Sequence, residues 1–228
     1  MIMFTILTKY NSIIKKSILF FGGTGGLGTQ VIKHLDNYDI KTLGSNDVNF
    51  LDELSITSFF NTIENVDVLV LFTNYNFNSF LHKYNESNFD ELTKQIEVNI
   101  LSVTKIISKC LCKMRERNFG RIILSSSITV DKNVMGTSVY AACKSYYENI
   151  VKTICLENAN KNITANCIQL GYMDGGLTYT LPEEFIKKTI DSIPTKRLGR
   201  PDEIAKTIEF LVNNEYINGT TIKLTGGL

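Results

Sequence analysis

The stretch Ser17-Ile18-Leu19-Phe20-Phe21-Gly22-Gly23-Thr24-Gly25-Gly26-Leu27-Gly28-Thr29 decides how the rest of the chain is read. The apolar run up to Phe21 has the length and the aromatic and β-branched content of a buried strand. It passes directly into five glycines, and a helical pattern begins at about Thr29. A strand, a tight glycine turn and a helix start together aim backbone N–H groups and the positive end of a helix dipole at one point, where a pyrophosphate can sit. Gly22 would permit the turn, Gly25 or Gly26 the approach of a phosphate, and Gly28 the contact of helix with strand. The glycines satisfy three registers at once: G-x-G-x-x-G from Gly23, and G-x-x-G-x-x-G or G-x-x-x-G-x-G from Gly22. A turn that holds no ligand is the alternative.

Outward from this point, short apolar runs alternate with longer helical ones, the pattern of a parallel sheet covered on both faces by helices. About seven strands are expected: Ser17 to Phe21, Asp39 to Leu43, one near Val48, Val66 to Phe72, Arg121 to Ser125, Ile163 to Ile168, and Thr221 to Leu224. Ile56, Phe59, Phe60 and Ile63 predict one helix, and Leu92, Ile96, Val103 and Ile107 line one face of a long helix from Phe89 to about Met114. Further helices are expected from Val139 to about Asn158 and from Pro201, a favourable first-turn residue, through Leu211. The fold class is therefore α/β, a doubly wound parallel sheet in one domain over 17–228. Residues 1–16 form an N-terminal extension, either frayed or an added edge strand.

Of the 228 residues 43% are hydrophobic and 21% charged, and the net charge is +1, which suits one globular domain with a sizeable core. No run of like charge is long enough for a nucleic-acid arm or a polybasic membrane patch, and nothing approaches a membrane span. The positive charges Lys9, Lys15 and Lys16 follow the apolar opening Met1 to Leu7 instead of preceding it, unlike a secretory signal. Five cysteines without metal-ligand spacing read as reduced thiols in a cytoplasmic protein, with no metal site. Small molecules and further copies of the chain are the expected partners. Copies are favoured because the outer faces of the two long helices carry Ile106, Leu111, Ile150 and Ile154.

Tyr140 and Lys144 are four apart at the start of a helix, so their side chains share a face. They follow a strand ending in Ser125-Ser126-Ser127, and ligands of α/β proteins bind at such strand ends. A tyrosine with a neighbouring ammonium can donate a proton to a carbonyl oxygen nearer neutrality than an isolated phenol. Ser127 would donate a hydrogen bond to the same oxygen; Ser125 and Ser126 are the alternative hydroxyls. Asn99 falls on the apolar stripe of the long helix, where a buried amide needs a functional or a structural partner. His34 and His82 are given no catalytic role.

On these residues the chain resembles the short-chain dehydrogenase/reductase family, in its compact single-domain branch, from about Ser17 to Leu228. The Gly22, Gly26, Gly28 register, Ser127 thirteen residues before Tyr140, the run Tyr140-Ala141-Ala142-Cys143-Lys144, and Asn99 all match in order. The segment Ile193 to Ala205 is similar to that of 3-oxoacyl-carrier-protein reductases, and Gly219-Thr220 through Gly227 also agrees. The resemblance implies hydride transfer between NAD(P)(H) and a carbonyl or alcohol, with Asn99, Ser127, Tyr140 and Lys144 catalytic. Lys144 would also hold the nicotinamide ribose, and Asn99 would help position a water that passes protons to Lys144. The substrate implied is a 3-oxoacyl thioester, free or carrier-bound; a sugar or polyol enzyme of the family and a non-catalytic cofactor sensor are alternatives. A homotetramer is expected, with a dimer as the lesser alternative.

The cofactor is expected on Gly22, Thr24, Gly25, Gly26, Leu27, Gly28, Ser45, Asn46, Thr73, Asn74, Tyr140, Lys144, Gly171 and Met173. NADP(H) is slightly favoured over NAD(H), because Ser45 and Asn46 rather than an acidic residue follow the second strand, although Asp47 lies close behind. The family's Asn-Asn-Ala-Gly turn is absent, with Leu71-Phe72-Thr73-Asn74 in its place. Its usual Pro-Gly reads Leu170-Gly171, and Gly175 replaces a threonine, so that the cofactor grip there is either weaker or supplied by Thr178. Residues 172–196 are expected to form a lid presenting Met173, Tyr179, Leu181 and Phe185 to substrate, with Phe77 and Tyr147 alongside.

Overall fold

The computed structural model describes residues 15–228, so the expected extension 1–16 lies outside the described residues except for Lys15 and Lys16. Six parallel strands form one sheet in the order β2-β1-β3-β4-β5-β6. They are β1 Ser17–Phe21, β2 Asp39–Leu43, β3 Val68–Leu71, β4 Gly120–Ser127, β5 Ile163–Leu170 and β6 Thr221–Leu224. The central strands are buried on both faces, which is why β3 reads as an unbroken Val68-Leu69-Val70-Leu71. By contrast β2, at the sheet edge, leaves Asp39 and Lys41 exposed.

Successive side chains of β1 point to opposite faces and enter two separate cores. Leu19 and Phe21 pack with α2 (Glu53–Asn61), α4 (Val103–Arg117) and α5 (Ser138–Asn158). Ile18 and Phe20 pack with α1 (Gly26–Ile32) and α7 (Pro201–Asn213). Because β1 is flanked by β2 on one side and β3 on the other, the chain reverses its winding direction between β1 and β3. A crevice opens at the carboxyl ends of the strands at such a reversal.

Three expectations are corrected. The strand near Val48 does not form: Asp47 N–H and Val48 N–H both donate to Gly44 O, and the Asp47 carboxylate accepts from Gly44 N–H at 2.8 Å. These bonds close a turn, and Val48 enters the core from it. The helix over 89–117 is not one α-helix, since a π-helical turn, Glu97–Ser102, separates α3 (Phe89–Ile96) from α4. Its extra residue per turn shifts the inward face, so Gln95 and Asn99 are buried while Ile96 is exposed. Finally, Ile106 and Ile154 are buried and Leu111 and Ile150 pack against the core, so they are not an outer apolar face. The exposed apolar residues of these helices are Phe89, Ile96, Leu101 and Leu156. Among the described residues no helix is long and apolar enough to cross a membrane.

Candidate active site

The contacts in the glycine turn give its glycines different roles. Gly22 has φ +83°, and a Cβ there would lie 2.7 Å from the backbone carbon of Phe72. At Gly28 a Cβ would lie 2.2 Å from Gly22 O, so only glycine lets α1 pack on the turn. At Gly26 the nearest atom would be 3.8 Å away, in Gly176. Gly22, Gly26 and Gly28 thus supply the turn, an open approach and the tight contact, in that order. No side chain caps the first turn of α1 and none there is acidic, so its N–H groups remain available to an anion.

A cavity of about 1010 Å³ spans the carboxyl ends of the strands from this turn to α5. That size lies at the upper end for ligand pockets, room enough for a cofactor and a substrate. Every residue expected to hold the cofactor lines it except Asn46, which sits exposed on the turn closed by Asp47. Thr73 brings to the cavity wall a buried hydroxyl with no hydrogen-bond partner among the described residues, in place of the missing Asn-Asn-Ala-Gly turn. Thr178, expected to compensate for Gly175, is buried and also lines the cavity. These open glycines and uncapped N–H groups fit a dinucleotide.

Ser127 ends β4, and Tyr140 and Lys144 lie in the first two turns of α5, all three on the cavity. The Ser127 hydroxyl accepts from Thr129 N–H at 3.2 Å and from the Thr129 hydroxyl at 3.0 Å. Burial pushes the Tyr140 phenol above its ordinary value, only partly offset by the neighbouring Ser127 hydroxyl. Lys144 is 2% exposed, and burial lowers its ammonium to about 8. Its Nζ donates to Ser125 O at 2.9 Å and lies 4.6 Å from the Tyr147 ring centre and 5.8 Å from that of Tyr140. The expected lowering of the Tyr140 pKa by Lys144 is therefore not found. The ammonium faces the phenol's ring and the Ser125 carbonyl, and desolvation dominates both groups.

Asn99 is wholly buried and does not line the cavity. Its Oδ1 accepts from Tyr75 N–H at 2.9 Å and its Nδ2 donates to Tyr75 O at 2.7 Å, so its amide is engaged at both ends by backbone. Two side chains that sequence reasoning missed continue the row: Gln95 Oε1 accepts from Phe77 N–H at 2.9 Å, and Glu91 accepts from the Tyr75 hydroxyl. Their spacing of four on one helix was visible but had no known counterpart.

On the substrate side Met173, Tyr179, Leu181 and Phe185 line the cavity as expected. The segment that carries them contains a 3-10 turn, Gly176–Thr180, and α6, Glu183–Ser192. Phe77 and Tyr147 are corrections. Phe77 turns away to meet Tyr84, their ring centres 6.2 Å apart, and Tyr147 is wholly buried in the core beneath Lys144. Asn76, Asn78, Val134, Thr137 and Leu177 were missed.

A family model described as Enoyl-(Acyl carrier protein) reductase matches residues 46–228. "Nodulation protein G" of Azospirillum brasilense is 33% identical over 165 residues, 72% of this chain and 66% of that protein. "3-oxoacyl-[acyl-carrier-protein] reductase MabA" of Mycobacterium tuberculosis is 27% identical over 233 residues, 94% of this chain and 93% of that one. "Acetoacetyl-CoA reductase" of Shinella zoogloeoides is 34% identical over 165 residues, 71% of this chain and 67% of that one. Among solved structures, YwfH, an NADPH dependent reductase involved in bacilysin biosynthesis, superposes with a TM-score of 0.82 at 20% identity, covering 93% of this chain and 98% of that one. With the dinucleotide-sized cavity, the glycine turn and the matched 46–228, the chain belongs to the short-chain dehydrogenase/reductase family and is an NAD(P)-dependent oxidoreductase.

Proposed function

We infer that the chain reduces a 3-oxoacyl thioester to the 3-hydroxy compound. The observation that carries the reading is the placement of Ser127, Tyr140 and Lys144 on one cavity whose other end is the open glycine turn. The names of two relatives, which act on 3-oxoacyl and acetoacetyl thioesters, support the choice of substrate. When bound, the reduced nicotinamide supplies the hydride. Tyr140 gives its phenolic proton to the substrate oxygen, and Ser127 donates a hydrogen bond to that oxygen as charge develops on it. Lys144, its ammonium held on Ser125 O, would hold the nicotinamide ribose. Asn99 acts through the loop it anchors, its amide exchanging one hydrogen bond in each direction with the Tyr75 backbone.

NADP(H) is the favoured cofactor. Ser45 lines the cavity, the Asp47 carboxylate accepts from Gly44 N–H, and among the described residues no acidic side chain lines the adenosine end. The working form is a homotetramer in the cytoplasm, and residues 17–228 act as one catalytic domain behind the extension 1–16. The test is the loss of reduced-nicotinamide absorbance with acetoacetyl thioesters and, in parallel, with simple ketones. Turnover of thioesters with a lower KM for NADPH than for NADH is expected; activity on ketones alone would remove the thioester reading.

A further inference from the structure

The loop after β3 presents an ordered row of amides to the cavity. Over 73–79 exposure alternates: Asn74, Asn76 and Asn78 are exposed, while Tyr75, Phe77 and Ser79 are half-buried, Tyr75 also reaching the cavity. This period of two is that of an extended segment with two distinct faces. All three asparagines line the cavity, and none of their side chains is hydrogen-bonded to the described protein. The opposite face is fixed from behind by Asn99 on Tyr75, Gln95 on Phe77, Glu91 on the Tyr75 hydroxyl, and Gly136 O accepting from Ser79 N–H at 3.0 Å. Three buried or half-buried polar side chains of α3 and the π-turn thus immobilise a loop whose own polar side chains are left free. Fixing donors and acceptors in advance reduces the entropy lost when a ligand meets them.

The surroundings restrict what that ligand carries. Lys144 is the single charged residue among the described residues of the lining, and it is engaged with Ser125 O. A carboxylate or phosphate beyond the reacting carbonyl would find no cation on this side. The lid brings Leu177, Leu181 and Phe185 to the same cavity, so it has an apolar flank as well as the amide row. A sugar, with hydroxyls all round, would leave some of them unpaired against that flank, at a cost. A flat chain with a polar edge and an apolar edge meets both. Same-face residues in an extended segment are about 7 Å apart, so Asn76 and Asn78 offer paired donors and acceptors at two successive points along such a chain.

We propose that Asn76 and Asn78 form a subsite for a secondary amide in the arm of the substrate beyond its reacting carbonyl. The inference rests on the thioester reading of the site and narrows it to thioesters whose thiol portion carries an amide. The test uses two unreactive ligands of equal length, the butyryl thioesters of N-acetylcysteamine and of an amide-free alkanethiol. Each is measured as a competitive inhibitor of whichever ketone the purified enzyme reduces. The amide-bearing ligand should bind the wild type at least 10-fold more tightly, and in Asn76→Ala/Asn78→Ala that ratio should fall below about twofold. Equal inhibition by both ligands in the wild type, or a ratio that survives the double substitution, would overturn the subsite. Because inhibition is read with any accepted ketone, failure to turn over thioesters is a separate result that bears on the proposed function.

Discussion

At the residue scale, Tyr140 is the group on which turnover should depend most. Tyr140→Phe removes one buried oxygen and keeps the ring, so folding and cofactor binding should persist while turnover falls by roughly 10²-fold or more. Near-normal turnover in that variant would dismantle the assignment of roles. Lys144 sets the pH dependence. With its ammonium lowered to about 8 and the Tyr140 phenol raised above its ordinary value, the reductive kcat/KM should fall as pH rises past about 8. Tyr140 still holds its proton there, so the limb belongs to Lys144. The same shift opposes folding. Below pH 8 both folded and unfolded chains carry the charge, and its burial costs the folded state about 3 kcal/mol. The cost fades as pH rises from 8 towards the unfolded lysine value and is gone above it. Lys144→Met should therefore abolish most activity yet raise the melting temperature at pH 7 by several degrees, with the gain shrinking towards pH 10.5. A lower melting temperature at pH 7 would mean that the bond to Ser125 outweighs desolvation. Ser127, Tyr140 and Lys144 were legible in the sequence because their spacing falls on one strand end and one helix face. The partner of Asn99 was not, since it is the backbone of a loop that no side-chain pattern marks.

At the element scale, the glycine turn separates a folding role from a binding role within three residues. Gly28→Ala places a Cβ 2.2 Å from Gly22 O, where backbone rather than a flexible side chain must move. It should destabilise the protein by about 1–3 kcal/mol, read by chemical denaturation. Gly26→Ala meets nothing closer than 3.8 Å and should fold normally. The methyl would instead stand at the open approach, so the KM for the cofactor should rise 10-fold or more. Equal effects of the two substitutions on stability would contradict the register. The bounds of β1, β2 and β6 could be read to the residue, because the apolar run of β1 ends at Gly22 and the alternating patterns of β2 and β6 end at Gly44 and at Thr225-Gly226. Two features could not. Val48 is as buried as a strand residue, but a turn closed by the Asp47 carboxylate delivers it to the core. The π-turn adds one residue to a helix whose composition stays uniform, and a fixed helical period then assigns the wrong face to Ile96 and Gln95.

At the scale of the whole molecule, the doubly wound layers follow from alternating periodicities, and the reversal between β1 and β3 places the cavity without reference to any particular side chain. Assembly is harder to read from a single chain, because helical apolar residues serve inner and outer contacts alike. Ile106, Leu111, Ile150 and Ile154 were assigned outward, whereas the sheet and neighbouring helices occupy all four. On these helices the exposed apolar residues are Phe89, Ile96 and Leu101 along α3 and the π-turn, and Leu156 at the end of α5, which is 86% exposed. An isolated exposed leucine is unremarkable, but this group flanks the helix that also carries Tyr140 and Lys144. Contact between copies there would brace α5 and the loop anchored by Asn99. Light scattering at working concentration should therefore give a tetramer, and Leu101→Asp combined with Leu156→Asp should yield smaller species. If the contact braces the site, those smaller species should also lose turnover more than cofactor affinity, since the glycine turn lies on α1, which packs with the other core. A wild type that runs as a monomer, or a charged variant that remains tetrameric, would place the contact elsewhere.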